Sequence, residues 1–138
     1  MKHLVGIDIG TSATKSVICD FRGRILATSS ADYPLSTPRP GWSEQAPELW
    51  WHATVKTVRK LLRDSGVDGR DVAAIGLSGQ MHGAVLLDAK DRVIRPAILW
   101  NDQRSSAECD EIEKTVGQKR LIRLTCKDRK STRLNSSH

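Results

Sequence analysis

The stretch Leu4-Val5-Gly6-Ile7-Asp8-Ile9-Gly10-Thr11-Ser12 sets an apolar run against a carboxylate, a glycine and two hydroxyls. Leu4–Ile7 has the composition of a strand, so Asp8 is carried towards that strand's C-terminal end. Gly10 lets the backbone turn sharply and approach a ligand closely. The backbone N–H groups of Thr11 and Ser12 can point inward as a nest for anions. Lys15 ends the loop with a mobile positive charge. Donors, a cation and a carboxylate able to hold Mg²⁺ through water make a set suited to phosphate. The spacing is not that of a Walker A loop. On these residues alone an ordinary hairpin with a glycine turn is the alternative.

The residues that follow favour the ligand reading. Ser16–Cys19 is a short β-prone run, Phe21-Arg22-Gly23-Arg24 a turn, and Ile25–Ser29 a third strand. Three strands joined by tight turns make an antiparallel meander whose first turn faces a ligand. The pattern resembles the first phosphate-binding segment of the ribonuclease H-like, actin-type ATPase superfold shared by sugar kinases, Hsp70 and actin. That likeness concerns the fold before it concerns a function.

Downstream the chain is organised as α/β. Tyr33–Pro47 is a Pro-rich loop containing Gly41-Trp42-Ser43-Glu44-Gln45. Pro47-Glu48 suits the first turn of a helix, although Ala46 is a poor N-cap. Trp51, Val55, Val58 and Leu62 mark the expected buried helix face, widened by Leu61, with Gly66 as its stop. Trp50 and Trp51 are expected to fill core or interface rather than form a binding cage. Val72–Ser78 reads as a buried strand, Gly83–Asp88 as another, Ala89–Arg92 as a turn and Ala97–Trp100 as a further strand. Ser105 or Ser106 can cap a polar helix reaching about Val116.

The 138 residues carry 22 basic and 16 acidic side chains, net +6. Half of that excess lies in residues 127–138, where Lys127, Arg129, Lys130 and Arg133 face Asp128 alone. Asp128–His138 has one apolar residue and no period of a helix or strand, and it resembles the in-frame translation of a sequencing-library adapter. The expected organisation is therefore a partial domain over 1–126 and a non-native tail over 127–138. The other basic residues are scattered and none of the four Trp sits among them, so no nucleic-acid partner is expected. Cys19, Cys109 and Cys126 form no C-x-x-C pair, which argues against a zinc site or a disulfide framework. No apolar stretch reaches membrane-spanning length, and a cytoplasmic location is expected.

Two clusters carry the more specific chemistry. Gly79-Gln80-Met81-His82-Gly83 brackets three side chains that can face one cavity. Gln80 and neutral His82 donate and accept hydrogen bonds, and Met81 offers a soft apolar wall. Trp100-Asn101-Asp102-Gln103-Arg104 offers a ring for a sugar's C–H face and acceptors for hydroxyls, with Arg104 placed to orient Asp102. This mixture suits a polyol.

Together with Gly6–Ser12, Trp42–Gln45, Pro47–Trp51, Leu87-Asp88 and Arg95–Asp102, these clusters make the chain similar to the N-terminal part of FGGY-type carbohydrate kinases, and among them to bacterial xylulokinases. The resemblance runs to about Thr125. It implies an α/β fold of the actin-type superfold, with an incomplete N-terminal domain and a mixed sheet. It also implies ATP-dependent phosphorylation of D-xylulose to D-xylulose 5-phosphate by a longer parent, with ATP and Mg²⁺. Asp8 would be important for activity near Mg²⁺ without being the base. Thr11, Ser12 and Lys15 would lie near the ATP phosphates, and Gln80, Met81, His82, Trp100 and Asp102 in the acceptor pocket. Complete members are longer, with their catalytic aspartate and most of the adenine site downstream. The chain is thus expected to be a fragment inactive alone. A kinase for another ketopentose or polyol, or a non-catalytic nucleotide-binding module, are the alternatives. Oligomeric state is left open, a homodimer of the parent being one option.

Overall fold

The strands of the meander form where β-prone runs are closed by turns that their own side chains stabilise. The chain is described here by a computed structural model covering residues 2–125. The expected boundary at 126, Cys126 and the tail 127–138 lie outside the described residues. Strand β1 (His3–Ile9) pairs antiparallel with β2 (Ala13–Asp20), which pairs antiparallel with β3 (Ile25–Asp32). The β2–β3 turn is built on Asp20, whose Oδ1 accepts from Arg22 N and Arg24 N at 2.9 and 3.0 Å. Gly23 supplies the left-handed residue there, at φ 81°.

Past β3 the chain runs through β4 (Glu44–Gln45) into helix α1 (Pro47–Ser65). Both ends of α1 follow the sequence reading. Ala46 makes no side-chain cap, and Gly66 stops the helix in the left-handed region at φ 68°. Its buried face follows that reading only in part: Leu61, Val58 and Leu62 face the core, but Trp51 does not. The buried residues are Ala53, Thr57 and Leu61, spaced four apart, whereas Trp51 is 67% exposed. The face is rotated because α1 lies over β2 and β3, where Thr14, Ser16, Ser29 and Ala31 are small and buried. Small side chains on both layers allow close approach, and Thr57 meets Ser16 hydroxyl to hydroxyl at 2.8 Å. Val58 and Leu62 flank a core of Val5, Ile7, Ile18 and Leu61. A second cluster joins Ala31, Tyr33 and Ala53 to Leu49 and Trp50. Of the two tryptophans, only Trp50 fills core as expected.

A short 3₁₀ turn (Gly69–Asp71) leads into β5 (Val72–Gly79), which lies parallel to β1. The sheet order β3-β2-β1-β5 is the mixed α/β sheet expected from the sequence. β5 was expected to be buried, yet Ile75 is 59% and Leu77 73% exposed. Both share the α1 side of the sheet with Val5 and Ile7, but α1 does not extend over β5.

Gly83–Asp88 forms no strand. It makes isolated bridges, Ala84 to Ile98 and Leu87 to Val93, around a turn in which Asp88 Oδ1 accepts from Lys90 N and Arg92 N. Single bridges to its neighbours do not extend into a ladder, whatever the run's β propensity. The strand expected over Ala97–Trp100 shrinks to β6 (Ala97–Ile98), paired with β4 in a separate two-stranded sheet. Helix α2 (Ser106–Val116) has Ser105 at its N-cap, without a side-chain cap hydrogen bond. It is followed by α3 (Gln118–Thr125), which the sequence reading did not include.

Candidate functional site

Strand pleating settles what the uncovered sheet face carries. Val5 and Ile7 point towards α1, so Gly6 and Asp8 point away from it. The register then aligns Ser30, Lys15, Asp8 and Ser78 across four strands. The next row is Thr28, Val17, Gly6 and Gly76. A cleft of about 710 Å³ is lined mainly by these two rows, and Lys60 of α1 also reaches it. Lys15 is therefore a residue of β2, directly opposite Asp8, and not the end of a loop as the sequence reading had it. The turn itself is only Gly10–Ser12, closed by Gly10 N donating to Ala13 O at 3.0 Å.

Gly10 has a steric role in this turn. A Cβ there would lie 3.2 Å from Ala13 O and 3.9 Å from Asp8 Oδ2, filling the space beside the carboxylate. The turn is braced from outside by Tyr33, whose backbone N–H donates to Ser12 O and whose hydroxyl donates to Gly10 O at 2.5 Å. Burial pushes the Tyr33 phenol up, and the nearby Asp8 charge adds to that. The phenol therefore stays protonated as a donor.

Thr11 joins this turn to both acceptor clusters. Its hydroxyl donates to Gln80 Oε1 at 3.1 Å and accepts from Trp100 Nε1 at 3.2 Å. Gln80 N–H also donates to Ile9 O at 2.8 Å. That close approach depends on Gly79, where a Cβ would lie 2.9 Å from Ile9 O. Gln80 is partly buried, whereas Met81 is 71% exposed and His82 is exposed. His82 occupies the left-handed region at φ 61°, where histidine is tolerated better than most residues. Of the expected acceptor residues, Gln80 and Trp100 are thus brought against the turn, and Met81 and His82 stand at the surface beyond it.

Asp102 is engaged within its own loop. Its carboxylate accepts from Ser43 N at 2.7 Å, from Arg104 N at 2.9 Å and from the Arg104 guanidinium at 2.7 and 2.8 Å. Desolvation pushes its carboxyl up, but the hydrogen bonds of Arg104 and Ser43 outweigh this and hold it at about 2. Arg104 also contacts Glu44 Oε1 at 2.7 Å and stacks on Trp42 at 3.8 Å, while Arg95 reaches the same oxygen at 2.5 Å. The sequence reading foresaw Arg104 orienting Asp102 but missed Glu44, Arg95 and Gln45. A carboxylate three residues before a proline-started helix gave no chemical signal by itself.

Among the described residues no group of three or more His, Cys, Asp or Glu could hold a metal ion by itself. One exposed carboxylate beside a glycine turn instead fits a magnesium ion held mainly by phosphate oxygens and water.

Residues 3–131 match the N-terminal domain of the FGGY family of carbohydrate kinases. The chain belongs to the FGGY family of carbohydrate kinases. Its fold is that of the actin-like ATPases. It is 47% identical over 118 residues to the xylulose kinase of Escherichia coli strain K12, covering 86% of this chain and 24% of that protein. It is 43% identical over 117 residues to the xylulose kinase of Bacillus subtilis strain 168, covering 85% and 23%. The crystal structure of xylulose kinase from Rhodospirillum rubrum superposes with a TM-score of 0.82 at 28% identity, over 88% of this chain and 25% of that one. The chain spans about a quarter of the length of these FGGY relatives.

Proposed function

We propose that residues 1–126 form part of the N-terminal domain of an ATP-dependent xylulose kinase. That enzyme would convert D-xylulose to D-xylulose 5-phosphate, and residues 127–138 would be foreign to it. The observation that carries the reading is the position of Thr11. Its turn follows the strand bearing Asp8, while its hydroxyl is bonded to Gln80 and Trp100. A phosphate-binding turn and a polyol-binding cluster in direct contact are what transfer of a phosphoryl group to a sugar hydroxyl requires. The identity to xylulose kinases supports the choice of sugar.

When bound, Mg²⁺-ATP supplies the phosphoryl donor and offsets the charge on its phosphates. Asp8 would hold the ion's water, and Lys15 with the N–H groups of Thr11 and Ser12 would bind phosphate oxygens. On the acceptor side Gln80 and His82 would take sugar hydroxyls, while Met81 and Trp100 would cover its C–H faces. Asp102 would act on the pocket by fixing the Trp100–Arg104 loop, its oxygens being turned to Ser43 and Arg104. The base that takes the hydroxyl proton is assigned to no residue of this chain.

The test is made on the product of the gene read on past codon 126. It should release ADP in a xylulose-dependent manner with Mg²⁺, and Asp8→Asn should abolish this. His82→Ala should lower kcat/KM for D-xylulose by the equivalent of about 1–3 kcal/mol, the cost of losing a polar contact that the bound sugar covers, with little change in ATP affinity. Preference for another polyol would reassign the acceptor, and failure to phosphorylate any sugar would sink the reading.

A further inference from the structure

Gln45 is the most completely bonded side chain near the turn, and the proposed reaction gives it no part. It is 1% exposed. Its Nε2 donates to Thr11 O at 2.7 Å and to Pro34 O at 3.1 Å. Its Oε1 accepts from Trp50 Nε1 at 2.9 Å and from Gln80 Nε2 at 3.4 Å. Both N–H groups and both acceptor directions of the amide are therefore used. A flipped amide would set its N–H groups against the Trp50 and Gln80 donors, so the orientation is fixed. Thr11 closes the circuit by donating to Gln80 Oε1. Gln45, Thr11 and Gln80 form a closed ring of hydrogen bonds drawn from β4, the β1–β2 turn and the segment after β5. Trp50 anchors the ring to α1, and Trp100 ties it to the following loop.

We infer that Gln45 is a positioning residue that couples the phosphate turn to the acceptor cluster, so that occupancy of one subsite is felt at the other. The inference rests on the kinase reading above. Its physical basis is that Gln45 holds the Thr11 carbonyl and the Gln80 amide at once. The turn cannot shift without moving the side chain that faces the sugar, and the converse also holds. Buried amides with every partner in place resist such a shift because any displacement strands several polar groups together. Such a coupling is reciprocal: whatever factor D-xylulose exerts on ATP binding, ATP exerts on D-xylulose binding.

The complete kinase tests this through ATP binding measured with and without D-xylulose. In the unmodified enzyme D-xylulose should change the Kd of ATP by about 5-fold or more, the lower range of such couplings. Gln45→Glu keeps the acceptor oxygens but removes both donors, and the coupling should fall below about 2-fold. Each ligand's Kd alone should stay within about 3-fold. Gln45→Met, similar in volume and lacking all four bonds, should behave likewise. A role confined to stability would lower the melting temperature of both variants and leave the coupling intact, which would overturn the inference, as would the absence of coupling in the unmodified enzyme. If the unmodified protein phosphorylates no sugar, the kinase reading fails on its own. Hydrogen exchange over peptides spanning 9–14 and 78–84 then decides the ring: faster exchange at both in Gln45→Glu upholds it, and unchanged exchange overturns it.

Discussion

Gly79 and Asp102 show how single residues hold the site together. A methyl group at Gly79 would press on the Ile9 carbonyl, a backbone atom that cannot rotate away. Gly79→Ala should therefore destabilise the chain by about 1–3 kcal/mol, the usual cost of overpacking, and loosen the bond from Gln80 N–H to Ile9 O. A urea melt would show it, and an unchanged midpoint would contradict the packing described. Asp102 gives a pH prediction. Its folded carboxyl is depressed from 3.8 to about 2, so its stabilising effect is fully present above pH 4 and fades as pH falls through 2. Asp102→Asn should lower the melting temperature at pH 7 and flatten its decline between pH 4 and 2. An equally steep acid decline in the variant would show that this carboxylate does not carry it.

At the scale of elements, the rotation of α1 is open to direct test. Leu61 is fully buried against the sheet, and Leu61→Ala should cost about 2–5 kcal/mol of stability. Trp51, on the face that the apolar spacing had favoured, is largely exposed, and Trp51→Ala should change stability by no more than about 0.5 kcal/mol. Chemical denaturation of both variants compares the two faces. If Trp51→Ala proved the costlier change, the helix would have to be turned back towards the arrangement read from sequence. The spacing misled because Ala53 and Thr57 are not large apolar residues. They are buried against small residues of the sheet, Ala53 in a cluster with Ala31 and Thr57 on Ser16. That complementarity exists only once helix and sheet are together.

At the scale of the whole molecule, the apolar side of β5 decides what the chain can do alone. Ile75 and Leu77 stand exposed on the α1 side of the sheet, the face opposite to that of Asp8 and Lys15. A sheet with an uncovered edge strand is prone to pair with other chains. Asp8, Ser12 and Lys15 form one wall of the proposed nucleotide site, with no opposite wall among the described residues to exclude water. The purified 138-residue chain should therefore show no xylulose-dependent ADP release above a protein-free control, even with Mg²⁺ and saturating ATP. Robust turnover by a monodisperse preparation, lost in Asp8→Ala, would place the whole machinery within this chain.

The sequence by itself determined the β1–β3 meander, the glycine turn after Asp8, both ends of α1 and the membership of the mixed α/β class. Each depends on neighbours only a few residues apart: an apolar run, Gly10, Pro47 and Gly66 act through local sterics and backbone preference. Tertiary structure decided which face of α1 is buried, that Gly83–Asp88 finds no ladder, and that Lys15 stands in a strand opposite Asp8. It also decided that Gln45, 34 residues from Thr11 and 35 from Gln80, bonds both of them. These features depend on register and on contacts between distant segments. A glutamine in a Pro-rich loop carries no mark of its partners until the strands have set their spacing.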